Sequence, residues 1–283
     1  MPRGLDHVVH AVSDLEGAAR LYRRLGFTVG ARNRHSWGTH NHVVQLPGFF
    51  IELLTVAEPE KLGSDGFSNL FGRFNQSFLS NREGLSLLLL ESDNAAADAA
   101  AFKSAGIGAS EVLKFEREGK QPDGAAVKLA FSLAFARDAR APAIGFAVCQ
   151  QHFPENFWTP QFQRHANGVT GVAGVVFVAD NPADHHVFLK NFSGVTDLKS
   201  TSSGITIETP RGEIQVMDPA AFRQHFAADP PDVTRGMRLA AIRFAAEMAA
   251  ARSALGSHAT EHMGRLIVGP QAAHGATLVF ELT

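Results

Sequence analysis

One cysteine, Cys149, one tyrosine and two tryptophans stand among 283 residues. A single thiol can build neither a disulfide framework nor a thiolate zinc site, and it suits a reducing compartment such as the cytoplasm. Charge of one sign is lacking too. Lys and Arg number 26 and Asp and Glu 28, for a formal net charge of −2, which supplies no counterion-release drive toward nucleic acid. No run approaches the roughly 18 uncharged apolar residues of a membrane span, and the opening MPRGLDHVVHAV is too briefly apolar for a signal peptide. A cytoplasmic chain with neither nucleic-acid nor membrane partners is expected. The motifs G-x-x-x-x-G-K-[ST], strand-linked G-x-G-x-x-G, G-x-S-x-G and H-E-x-x-H are also absent. Nucleotide hydrolysis, dinucleotide redox chemistry, serine hydrolysis and zincin proteolysis therefore lack support.

Phenylalanine is abundant, at 22 residues; it fills cores and also suits an apolar pocket for a small organic ligand. The clearest organisation is a fourfold repeat of strand, helix, then Gly. Leu5 to Val12 reads as a strand, and Ser13 and Glu16 have capping-box spacing ahead of a helix closing at Gly26. The second unit runs from Leu85 to Leu90, with Ser92-Asp93 as cap and Gly106 as stop. The third runs from Val172 to Val178, with Pro182 early in its helix, and the fourth from Leu239 to Phe244 with a helix from Glu247. A hairpin follows the first helix, Asn41 to Leu46 and Phe49 to Val56 about Pro47-Gly48. Final strands at Gly145 to Gln150, Glu213 to Met217 and Thr277 to Leu282 complete four β-α-β-β-β units. The expected fold is α+β, with two tandem domains at 1–152 and 168–283 joined by a linker, 153–167.

GLDHVVHAVSDLEGAARLYRRLGF followed by WGTHNHVVQLPGFFIELL resembles the glyoxalase/bleomycin-resistance/extradiol-dioxygenase, or vicinal oxygen chelate, superfamily, in particular its glyoxalase-like domain branch. The resemblance implies that paired units form half-open cups, many of which hold a divalent metal between first and last strands. It places ligand positions at His7 and Glu52, types that suit zinc, manganese, nickel or iron. Unit two offers Leu87 and, near the glutamate position, Cys149. The second cup offers Gly174, Ala240, Gln215 and Glu281. An extradiol dioxygenase needs two histidines and a carboxylate facing one cavity, which neither cup supplies at those positions.

Strand alternation places Asn41, Val43, Gln45, Phe50, Glu52 and Leu54 on one face, with Val43 opposite Glu52, and turns His40 and His42 away unless a one-residue bulge intervenes. His7 and Val9 face the cup, whereas His10 faces the helix. Val9, Asn41, Gln45, Phe50, Leu87, Cys149, Phe157 and Trp158 are the candidate substrate contacts, and His7 and Glu52 the candidate catalytic and metal residues. Phe157 and Trp158 sit in an aromatic stretch that reads either as a lid or as a linker, and Cys149 reads as a buried inert thiol. Phe67, Phe71, Phe74 and Phe78 recur at helix-like spacing, as for packing on a sheet. The resulting expectation is a glyoxalase-like lyase or isomerase, acting on a small oxygenated molecule in the N-terminal cup, with a divalent metal or none. A metal-free small-molecule binder of bleomycin-resistance type is the alternative. The chain is expected to be a monomer or homodimer.

Overall fold

The computed structural model describes residues 1–120 and 124–282. Unit one comprises β1 (Leu5–Ala11), α1 (Leu15–Arg24), β2 (Asn33–Arg34), β3 (Thr39–Leu46) and β4 (Phe49–Val56). A join carrying α2 (Phe74–Leu79) leads to unit two: β5 (Gly84–Glu91), α3 (Ala95–Ser104), β6 (Leu113–Lys120), β7 (Ala126–Ala136) and β8 (Gly145–Gln151). After α4 (Pro154–Phe157), unit three comprises β9 (Val169–Val178), α5 (His186–Ser193), β10 (Lys199–Thr201), β11 (Gly204–Glu208) and β12 (Glu213–Met217). Then α6 (Pro219–Phe226) leads to unit four: β13 (Arg238–Ala246), α7 (Met248–Leu255), β14 (Thr260–His262), β15 (Arg265–Val268) and β16 (Thr277–Glu281). The strands form two eight-stranded sheets, ordered β2-β3-β4-β1-β5-β8-β7-β6 and β10-β11-β12-β9-β13-β16-β15-β14. The fold is α+β, with two tandem glyoxalase-like cups.

Local signals explain the elements, with small displacements. α1 buries Leu15, Ala18, Ala19 and Tyr22, the stripe its periodicity predicts, but its cap is Asp14, whose side chain accepts from Gly17 N, and not Ser13. Asn94 caps α3 in place of Ser92-Asp93, because Ser92 Oγ is engaged by Asp98. Gly194 closes α5 at φ 71°, in the left-handed region that favours glycine. The hairpin pairs Val43 with Glu52 as alternation predicts.

Each sheet is centred on an antiparallel pair of first strands, and each first strand carries a one-residue bulge. Between Leu5↔Leu90 and His7↔Leu89 the extra residue is Asp6, and by the pseudo-twofold its counterpart on β5 is Ser86. In the second sheet Ala173 and Ala240 are the corresponding extra residues, and Thr170 is a further one near the start of β9. The helix-covered faces share one core across both halves, with Phe27 5.3 Å from Phe244 and Phe146 5.9 Å from Phe177. At about 1.5–3 kcal/mol per buried large side chain, this shared layer couples the halves. The opposite faces form the two cups. Residues 153–167 include α4 and dock on the first cup, with Gln45 Nε2 donating to Phe157 O at 2.7 Å.

Candidate active site in the N-terminal cup

The bulge at Asp6 sets the chemistry of the first cup. In a regular strand neighbouring side chains point to opposite faces; here the extra residue lets Asp6 and His7 lie together, with Asp6 Oδ1 2.5 Å from His7 Nδ1. Asp6 Oδ2 accepts from Gln151 Nε2 at 2.9 Å, so the carboxylate is held at both oxygens. His7 is buried and stacks on Phe50, ring centroids 4.1 Å apart. With Nδ1 engaged, Nε2 has no hydrogen-bond partner among the described residues.

On the neighbouring strand β4, Glu52 is also buried, and Asn41 Nδ2 donates to its Oε1 at 2.5 Å. Burial pushes the Glu52 carboxyl up, while His7, the Asn41 hydrogen bond and Arg117 pull it back without cancelling the effect. His35 Nε2 lies 3.9 Å from Glu52 Oε1, and burial lowers His35 to about 3, so this imidazole is neutral. Its Nδ1 shares a hydrogen bond with Thr39 Oγ1 at 2.8 Å, and its ring stacks on Trp37 at 4.6 Å.

These groups face a cavity of about 80 Å³ lined by His7, His35, Trp37, Asn41, Val43, Phe50, Glu52, Phe67, Phe71, Phe115, Arg117, Phe131, Leu133, Cys149 and Phe157. Its wall is aromatic, and its polar points are few. Trp37 Nε1 is buried with no hydrogen-bond partner among the described residues, an unmet donor at the wall. Arg117 carries the cation: burial works against its charge and Glu52 for it.

Of the residues singled out in the sequence, His7, Asn41, Phe50, Glu52, Cys149 and Phe157 meet at this cavity. Val9 and Leu87 lie in the apolar layer beneath it. Gln45 is spent on Phe157 O and Thr159 N, and Trp158 packs behind Phe50 and Phe157. His40 bonds Arg32 and Glu58, and His42 bonds Gly30 O and Glu16, both away from the cup. Sequence reasoning missed Asp6, His35, Trp37 and Arg117. The Phe-x-Arg of β6 and Phe-x-Leu of β7 put Phe115 with Arg117, and Phe131 with Leu133, on common faces, a signal that was readable. Phe67 and Phe71 line the cavity because 68–73 form a π-helical turn, a feature frequent at functional sites.

Register corrects three expected equivalences. Val9 pairs with Glu52 and Leu89 with Ala147, so Ala147, not Cys149, stands at the glutamate position of unit two. In the second cup the bulge puts Ala241, not Ala240, in the His7 role as the counterpart of Gly174, and the pairing of Arg243 with Val279 puts Val279, not Glu281, in the Glu52 role. Gln215 keeps its place, paired with Val176. The four metal positions implied by resemblance therefore carry His7, Glu52, Leu87 and Ala147. Two donors fall short of the three protein ligands usual for catalytic zinc, so the set does not fit a complete metal centre. A different cluster, Asp6, His7 and Cys149, brings three ligand-type atoms within 4.8 Å of one another. Its thiol is held protonated by burial and by the charges of Asp6 and Glu52.

The chain matches the model of the glyoxalase-like domain family over residues 5–192. It belongs to that family. The match of this glyoxalase-like protein, a vicinal oxygen chelate superfamily member, spans the whole first sheet and the first strand and helix of the second. No curated protein matches it significantly. Among solved structures it is similar to a hypothetical protein from Staphylococcus aureus, with a TM-score of 0.68, 12% identity, and coverage of 99% of this chain and 100% of that one. It is also similar to a mutant of 4-hydroxymandelate synthase from Streptomyces coelicolor, with a TM-score of 0.59, 10% identity, and coverage of 99% and 92%. At these identities the likeness is one of fold. Among the described residues no helix is long and apolar enough to cross a membrane.

Proposed function

We propose that this glyoxalase-like protein is an enzyme of lyase or isomerase type that moves a proton on a small oxygenated molecule with an aromatic or apolar body, bound in the N-terminal cup. The observation that carries the reading is the Asp6–His7 pair beside Glu52 on the neighbouring strand, with His7 and Glu52 lining one half-open cavity. Asp6 fixes the imidazole with its Nδ1 proton toward the carboxylate, which leaves Nε2 as the base. Nε2 takes a proton from the carbon next to a substrate carbonyl, and the C–H electron pair moves into the new C=C bond as the carbonyl π pair moves to oxygen. Arg117 faces that oxyanion, and Glu52, held toward its protonated form, donates a proton to it. As the imidazolium proton returns to a different carbon, or to the opposite face, an O–H proton of the enediol or enol passes back to Glu52 and its electron pair re-forms a C=O, which completes an isomerisation and restores both groups.

Aromatic walls exclude water and position the apolar body, and Trp37 Nε1 offers a hydrogen bond to a further oxygen. No step is routed through a metal, because the donors at the implied positions are incomplete. The test is solvent-deuterium exchange, followed by NMR, in a panel of aryl α-hydroxy ketones and α-keto acids, with and without chelator. Exchange at the carbon next to the carbonyl, insensitive to chelator and slowed about 10²–10⁴-fold in His7→Gln, is the expected result. Saturable binding without exchange would turn the reading to a sequestering protein. Exchange abolished by chelator would make the metal-free step wrong.

A further inference from the structure

A second polar hollow lies outside the cup, where the two halves meet. It is a cleft of about 660 Å³ and shares no lining residue with the cavity around His7. Three stretches build it: residues 74–82 of α2 and the turn after it, the Pro142-Ala143 turn before β8, and residues 232–238 entering β13. The last two are tied together across the halves, with Met237 N donating to Arg140 O at 3.2 Å.

Arg82, Arg235 and Arg238 all face this cleft. Arg238 is 5% exposed. Its Nη1 donates to the carbonyls of Arg235, Gly236 and Met237 at 3.3, 3.1 and 3.2 Å, and its buried Nε has no partner. Arg82 lies 4.8 Å over the Phe78 ring. Among the described residues, none of the three forms an ion pair. The carboxylate in the lining is Asp232, which already accepts from Thr234 N at 2.9 Å and Thr234 Oγ1 at 3.0 Å. Three guanidiniums thus face one carboxylate, in a chain whose net charge is −2. Elsewhere the chain handles a buried arginine differently: Arg243 meets both Glu213 and Glu281. Leaving a guanidinium nitrogen buried and unpaired is costly, and like charges brought together add to that cost. Burial and the nearby Arg238 charge lower Arg82 to about 10 against the pull of Asp232, which agrees with cations crowded around a single counter-charge.

We propose that this cleft binds a small organic phosphate, its dianion seated among Arg82, Arg235 and Arg238 and its apolar body against Phe74 and Phe78. The two unbalanced positive charges match a dianion. One planar guanidinium fork satisfies a carboxylate, whereas guanidiniums approaching from separate segments suit the several oxygens of a tetrahedral phosphate. Because the donors come from both halves, the ligand cross-links them and stabilises the whole chain by mass action.

The test is calorimetric titration and thermal unfolding of the full chain with phenyl phosphate, inorganic phosphate and benzoate. Phenyl phosphate should bind the tightest of the three and raise the melting temperature. Arg82→Met and Arg235→Met should each weaken it about tenfold, the worth of one charge-assisted contact. Both residues lie outside the buried core, and unfolding without ligand checks that the variants fold. Arg117→Met, in the cup, should leave phenyl phosphate affinity unchanged. Benzoate binding as tightly as phenyl phosphate would overturn the phosphate assignment. Unchanged affinity in both cleft variants, or loss confined to Arg117→Met, would overturn the site.

Discussion

In the N-terminal cup the residue after the first-strand bulge is His7 and the partner-strand position is Glu52; their counterparts in the C-terminal cup are Gly174 with Gln215 and Ala241 with Val279. The join after the fourth strand differs as well. After β4 it is long, and its π-helical turn presents Phe67 and Phe71 around a space left open. After β12 it is α6, whose Ala221, Phe222 and Phe226 pack on Val176, Ala241 and Val279 on the concave face itself. Polar groups follow the same division. Arg243, at the position of Val9, bonds Glu281 at 2.5 Å and Glu213 at 2.7 Å, and Arg265 holds the other Glu281 oxygen at 2.7 Å. The second cup neutralises its own charges and leaves the uncharged Gln215 Oε1 unmet, while the first leaves the titratable His7 Nε2, with Trp37 Nε1, unmet among the described residues. One strand plan thus yields a filled half and a half with an open cup, according to what covers the concave face.

That division predicts unequal costs for the same deletion. Phe222 is fully buried in the filled cup, so Phe222→Ala should cost about 3–5 kcal/mol by urea unfolding. Phe71→Ala should cost clearly less, since its ring already borders a cavity and loses fewer contacts. Equal costs would mean that the first cup is packed as tightly as the second. Next in size is the carboxylate network. Glu281→Gln removes the charge facing Arg243 and Arg265 and should cost about 2–3 kcal/mol, because buried cations are left short of a counter-charge. A loss under about 0.5 kcal/mol would show that the network is solvated like a surface pair.

Acid should act mainly through the first half. Burial lowers His10 to about 4 and His35 to about 3. Both folded values lie below the unfolded value of about 6.5, so between them the unfolded chain binds more protons and stability falls as pH falls. The contribution is whole above pH 6.5 and is lost on descent through the folded values, on the order of 3–5 kcal/mol per residue. Histidine NMR titration alongside unfolding at each pH checks this. Ring signals of His10 and His35 that titrate near 6.5 in the folded protein would remove the mechanism.

The four units, the hairpin register and the turning away of His40 and His42 were legible because they rest on period-two and period-3.6 patterns that the chain writes locally. The caps were misplaced by one residue or two, since Ser, Asp and Asn in a row can each accept the same N–H group. Asp6 was not legible. Its bulge is an extra residue in a ladder formed with β5, and nothing in LDHVV announces it. A bulge likewise displaced Ala240 by one residue, whereas Cys149 and Glu281 stand two residues past Ala147 and Val279 on unbroken ladders, because similar local context at a strand end does not fix its register. The plugging of the second cup by α6 was hidden for a related reason: PAAFRQHF is an ordinary amphipathic helix, and where its apolar face goes is a tertiary fact.

The smallest effect bears most directly on the chemistry. Burial raises Glu52 above its ordinary 4.5, so the folded state holds this proton more tightly than the unfolded one. Stability from this group therefore falls as pH rises above 4.5, the opposite sign to that of His10 and His35. Glutamine has no proton to lose and keeps a carbonyl for Asn41 Nδ2. Glu52→Gln should accordingly stabilise the protein at neutral pH and not near pH 4, while slowing proton transfer in the cup. Unfolding curves at both pH values separate this from a general packing gain, which would be the same at each. A destabilised variant at neutral pH would mean that Glu52 is ionised against His7 and Arg117. The general-acid role would then have to pass to another group, whereas the base assigned to His7 would stand.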